Sequence, residues 1–141
     1  IPIISKNGFS PDIGWDLNAC TDCQSWRFNV GPDNATPLAA RLSSSALTTN
    51  WIHIIATYDG PAKAMNIYIN GVLDNGELWN SITASQHNST FGPEIGSRQN
   101  ELYSPPTNPF FNFFPGLIDD LRIYNHALSA GEVKAMYNAT K

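Results

Sequence analysis

The stretch "MNIYINGVLDNG", residues 65–76, constrains the fold of this chain more than any other. Ile67 and Ile69 alternate with Tyr68, the two-residue period of a strand with one buried face. Asn70–Gly71 supplies both positive-φ positions of a type I′ turn, whose twist matches the strands it joins. Val72 and Leu73 carry the strand back, so the segment reads as a tight hairpin. The same period recurs along the chain. "WRFNV" puts Trp26, Phe28 and Val30 on one face and Arg27 and Asn29 on the other. Ile13, Trp15 and Leu17 alternate with Gly14 and Asp16. "WIHIIATYDG" is rich in β-formers and stops at Asp59–Gly60, and the Gly-Pro interruption in "STFGPEIGS" suits an edge strand or a bulge. "GLIDDLRIY" sets Leu117, Asp119, Leu121 and Ile123 against Ile118, Asp120, Arg122 and Tyr124. Trp15, Trp26 and Trp51 are expected in the core.

One helix is marked, and it comes last. Ser129 followed by Glu132 forms a capping box, and Leu128 and Val133 flank the cap as a hydrophobic staple. Val133, Met136 and Tyr137 share a face, while Gly131 weakens the helix, so it should be short and docked on the body. Short strands, turn-rich connections and one terminal helix predict an all-β antiparallel sandwich forming a single domain over residues 1–141.

A chain of 141 residues can bury a core without metal or disulfide staples. Its net charge of −4 and charged fraction of 14% argue against a nucleic-acid surface, which needs clustered Lys and Arg. No run approaches the ~20 apolar residues of a membrane span, and no Lys/Arg-led apolar stretch with a small-residue cleavage site is present. Cys20 and Cys23 lie in "NACTDCQ" between two alternating segments, where a disulfide tightening a hairpin loop, free thiols, and redox or metal chemistry are the alternatives. His53, His87 and His126 are scattered without zinc-ligand spacing. Asn34, Asn88 and Asn138 head N-x-S/T triplets and are glycosylation candidates, which fits a secreted chain. "RQNELYSPPTNPFFNFFPG", residues 98–116, is long for a connection and therefore a candidate functional segment.

The ordered set "WIHIIATYDG…MNIYINGVLDNG…TFGPEIGSR…FFPGLIDDLRIYNHALSAGEVKAMY" resembles the laminin-G-like, concanavalin A-like lectin/glucanase group of jelly-roll domains. Phe114, Gly116, Ile118, Asp119, Arg122, Tyr124 and Asn125 fall in register with its closing motif. The resemblance implies two antiparallel sheets face to face, with a concave face and a loop-rich rim. It also implies that the first strands of such domains, roughly 20–40 residues by ordinary element lengths, precede Ile1. A sandwich without them should have an open edge and an uncovered strip of core. Three alternatives then stand: a longer chain supplies them, a neighbouring molecule donates a strand, or the sandwich closes on fewer strands. Ile1 and Ile3, with Phe110, Phe111 and Phe113, are the interface candidates. Phe114 should be buried, and its neighbours should either fold back or form a contact patch.

Glycoside hydrolysis needs two carboxylates about 5–10 Å apart, and the Glu-x-Asp-x-x-Glu strand of the glucanase relatives is absent. Adjacent Asp119 and Asp120 point to opposite faces of a strand, and Glu94 and Glu101 are separated by a loop, so no enzyme is expected. Sugar recognition needs an aromatic face together with amides and charged groups for the hydroxyls. Trp79, Asn80, Arg98, Asn100 and Tyr103 are the candidates, the alternative for Trp79 being a cap on the core edge. The resemblance implies a structural calcium (Ca2+) at Asp119, against which stands a buried carboxylate bonded to loop amides. Asp120 and Arg122 should form a surface ion pair of little energy. These readings point to an extracellular or cell-surface, non-catalytic carbohydrate-binding or adhesion module with glycans or glycoproteins as partners. The alternative is a structural subunit of an extracellular assembly or filament, whose partners are copies of itself.

Overall fold

A computed structural model describes residues 1–7, 14–32, 37–99 and 110–140. In chain order its elements are β1 (Pro2–Lys6), β2 (Trp15–Cys20), β3 (Ser25–Val30), β4 (Ala39–Ala46), β5 (Ile54–Asp59), β6 (Ala64–Ile69), β7 (Val72–Leu73), β8 (Asn75–Trp79), β9 (Glu94–Ile95), β10 (Arg98–Gln99), β11 (Phe110–Phe111) and α1 (Ala130–Ala139). Six strands form one sheet in the order β8-β4-β3-β2-β1-β9, three form a second in the order β5-β6-β7, and β10 pairs with β11. All these pairings are antiparallel. β9 lies at one edge of the six-stranded sheet, the first of the two alternatives for that segment.

The two larger sheets share one core. Leu17, Trp26, Phe28 and Val30 from the six-stranded sheet meet Met65 and Ile67 from the three-stranded one. Burying a side chain of this size contributes about 1.5–3 kcal/mol, so this layer is the main source of cohesion between the sheets. At the β6–β7 turn Asn70 and Gly71 have φ of 52° and 76°, as the turn type requires. Gly71 also lies under the helix, where an added Cβ would stand 2.9 Å from the Cβ of Tyr137. Cys20 and Cys23 form a disulfide across the β2–β3 turn, the first of the alternatives for that pair.

Helix α1 begins with the expected capping box. The Ser129 hydroxyl oxygen accepts from the Glu132 backbone N–H at 3.3 Å, while the Glu132 carboxylate accepts from the Ser129 hydroxyl at 2.7 Å and its backbone N–H at 2.8 Å. Val133, fully buried, packs with Leu128 and Tyr68. The hydrogen bonds from the Ser129 side chain, then its backbone, hold the Glu132 carboxyl below the usual carboxylate range. A depressed folded-state value means stabilisation that is full above about pH 4.3 and lost as pH falls through the folded value. Thermal unfolding of Glu132→Gln from pH 6 to pH 3 should therefore converge with wild type at the acid end.

Three expectations are corrected. Residues 117–124 form no strand. Asp120 has φ of 49°, which breaks the extended path, and the inward residues are Ile118 and Leu121, not an alternating set. Leu117 is 78% exposed, and Ile123 is exposed with it. Trp51 is not core but 67% exposed. It precedes the first residue of β5 by three positions, outside the ladder, where neither sheet covers it. Ile1 and Ile3 do not lie on an open edge. β1 is flanked by β2 and β9, Ile3 is buried in the core, and the Ile1 carbonyl accepts from the Ala19 N–H at 2.8 Å. The Asp120–Arg122 pair does form on the surface, at 2.9 Å.

Candidate functional site

Alternation along β2 sends Trp15 and Leu17 toward the core and Asp16 to the opposite face. Residues directly opposite in an antiparallel ladder share a face. Asp16 is opposite Asn29 on β3 and Ser5 on β1, Asn29 is opposite Ala40, Ala40 opposite Trp79, and Ser5 opposite Glu94. One straight row, Trp79–Ala40–Asn29–Asp16–Ser5–Glu94, therefore crosses all six strands on the side away from the core. The adjacent row carries Asn18 opposite Arg27.

A cleft of about 140 Å³ opens on this row. Trp79, Ala40, Asn29 and Asp16 line it from the row, Arg27 from the next one, and Asn7, Leu38, Asn80 and Arg98 from the segments alongside. The volume is below the ~300–1,000 Å³ that encloses a drug-sized ligand, so the cleft suits one ring or one terminal group of a larger molecule.

Asp16 organises the site. It is fully buried, and a buried carboxylate is tolerated only when paired and hydrogen-bonded. Four donors do this. Asn7 Nδ2 (2.8 Å) and the Arg98 guanidinium reach one oxygen, and Asn29 Nδ2 (2.8 Å) and Asn18 Nδ2 reach the other. The Arg98 side chain is 22% exposed, so the ion pair faces the cleft. Because an ionised carboxylate only accepts, it turns all three amides nitrogen-first. Their oxygens, Oδ1 of Asn7, Asn18 and Asn29, are buried without a hydrogen-bond partner among the described residues, as are Nε of Arg27 and of Arg98. An unmade bond at a buried polar atom costs about 1–3 kcal/mol. Such a cluster is poised for a ligand that brings both donors and acceptors.

Of the residues expected to bind sugar, the fold brings Trp79, Asn80 and Arg98 to this one cleft. Asn100 and Tyr103 lie outside the described residues. Trp79 is 41% exposed, and its Nε1 donates to Glu77 Oε2 at 2.9 Å, which fixes the ring edge. Asn80, at φ 63°, donates through Nδ2 to the Leu38 carbonyl at 2.9 Å. Sequence reasoning missed Asn7, Asp16, Asn18, Arg27 and Asn29. The available signal was a run of polar side chains at successive outward positions of one hairpin, Asp16 and Asn18 on β2 and Arg27 and Asn29 on β3.

The remaining candidates lie elsewhere. Asp119 is exposed rather than buried, and its Oδ1 accepts from the Asp120 N–H at 2.8 Å. Among the described residues no three of His, Cys, Asp and Glu come together as a metal-holding group. Asn88 and Asn138 are exposed, and Asn88 Oδ1 accepts from Lys6 Nζ at 3.0 Å. Asn34 lies outside the described residues. Phe113 is exposed, and Phe114 packs against the core. Phe110 and Phe111 pair through their backbones with β10.

The family model described as the concanavalin A-like lectin/glucanases superfamily matches residues 2–134. Among solved structures, the chain is similar to an S-layer domain-containing protein from Clostridium thermocellum ATCC 27405, with 29% identity and a TM-score of 0.48. The match covers 87% of this chain and 55% of that one, so this chain spans about half the length of its structural relative. No curated protein matches. No helix among the described residues is long and apolar enough to cross a membrane.

Proposed function

This chain belongs to the concanavalin A-like lectin/glucanases superfamily, and on that footing we propose that it is an extracellular, non-catalytic carbohydrate-binding module that uses the cleft over Asp16. The observation that carries the reading is the joining of a half-exposed Trp79 ring to buried amide oxygens and guanidinium nitrogens that lack partners among the described residues. An aromatic face packs on the apolar side of a sugar ring, and hydroxyl groups both donate and accept. The Cys20–Cys23 disulfide supports an oxidising compartment. A binding role is favoured over hydrolysis because Asp16 is the one carboxylate lining the cleft among the described residues, and its oxygens are engaged by four donors.

The test is thermal unfolding against a panel of neutral and uronic oligosaccharides. A saccharide at a hundred times its Kd adds about 2.7 kcal/mol, roughly 5–10 °C for a chain of this size. The shift should vanish in Trp79→Ala. A panel without any shift would sink the reading.

A second reading, a structural subunit completed by a strand from a neighbouring molecule, is favoured by different residues. Among the described residues β5 pairs on one side only, with β6. Trp51, just ahead of it, and Leu117 and Ile123 expose apolar surface. Unpaired edges with apolar flanks accept added strands.

A further inference from the structure

Resting on the carbohydrate reading, we infer that the cleft selects saccharides that carry a carboxylate, with Arg27 and Arg98 as its anion clamp. Among the described residues, two guanidinium groups and one carboxylate, Asp16, are the charged side chains lining the cleft, so this described lining carries one net positive charge in a chain whose net charge is −4. That local sign runs against the rest of the molecule.

The hydrogen bonds locate the surplus. The two oxygens of Asp16 are taken up by Asn7, Asn18, Asn29 and one amino group of Arg98. Nothing in that network reaches Nε of Arg98 or Nε of Arg27, and both are buried without a partner among the described residues. A guanidinium presents Nε–H and a terminal N–H as a planar fork, which matches the two oxygens of a carboxylate. A neutral sugar offers hydroxyls to the amide oxygens of Asn7 and Asn29 but brings no charge to the guanidinium pair. A uronic-type ring satisfies both, its hydroxyls toward the amides and its carboxylate toward the arginines, with Trp79 beside the ring. The modest volume of the cleft, about 140 Å³, suits a single acidic ring as the recognised unit.

The test uses oligogalacturonate, alginate and hyaluronan oligomers, each beside its methyl ester, with dextran sulfate as a sulfated control. Binding to the intact chain is followed by calorimetry and thermal shift. At least one acid should bind about tenfold or more tighter than its ester, the gain expected of a hydrogen bond to a charged group, and more tightly than dextran sulfate. In Arg27→Gln that gap should close while ester binding persists. Arg27→Lys, which keeps charge but not the fork, should recover only part of it. Acid and ester binding alike would overturn the inference and leave the carbohydrate reading standing. So would a neutral oligosaccharide binding where none of the three acids does. Dextran sulfate binding as tightly as the acids would overturn the choice of a carboxylate. No saccharide binding at all would bring down both.

Discussion

Replacing Asp16 with alanine lowers the unfolding free energy by about 3–5 kcal/mol, the cost of removing one partner from a buried ion pair. The change leaves Arg98 without its counter-charge and takes the acceptor from three asparagines at once, Asn7, Asn18 and Asn29. Asp16→Asn should recover little, because its amide nitrogen faces groups that donate. Urea denaturation with an unchanged m-value would measure the loss. A loss below about 1 kcal/mol would mean that the network is open to water in solution. The residue is thus expected to support the site and the sheet together, since its donors come from three strands, β2, β3 and β10, and from the segment that follows β1.

The second large effect separates two residues that a sequence treats alike. Ile67→Ala, at a fully buried position facing the opposite sheet, should cost about 2–5 kcal/mol through lost contact and the cavity left behind. Trp51→Ala should stay within about 0.5 kcal/mol, as surface substitutions do. Both would be read from the same denaturation curves. Native mass by light scattering on the Trp51 variant adds a test of the structural-subunit reading. If wild type associates and the variant does not, the exposed ring belongs to an interface. If both run as monomers, that reading falls.

The sandwich was legible because its signals are local. The period of "WRFNV", the Asn70–Gly71 turn and the Ser129–Glu132 cap each depend on residues within a few positions of one another, and each is found as read. The strand expected in "GLIDDLRIY" failed because alternation describes only the side chains. The backbone needs a partner strand and negative φ throughout, and Asp120 departs from the second condition. Trp51 failed for a related reason. It stands beside Ile52 ahead of an apolar strand, but burial depends on a covering layer that no local pattern reports. The cleft was half visible. Trp79, Asn80 and Arg98 stood out by residue type in turn-rich segments. Asp16 and Asn29 looked like solvent-facing polar positions, and only the register that sets them opposite each other makes them one buried cluster.

The row crossing all six strands carries a consequence for how such a domain can change over generations. Its members meet only while every strand keeps its alignment, since a shift of one position exchanges Asp16 with Leu17 and sends a carboxylate into the core. Insertions and deletions within β1 to β4 therefore lose the fold and the cleft in the same event. Length variation is left to the turns and to the segments bordering the cleft. Relatives descended from this chain should vary the cleft by editing that border around Asn80 and Arg98, over strands whose spacing stays fixed.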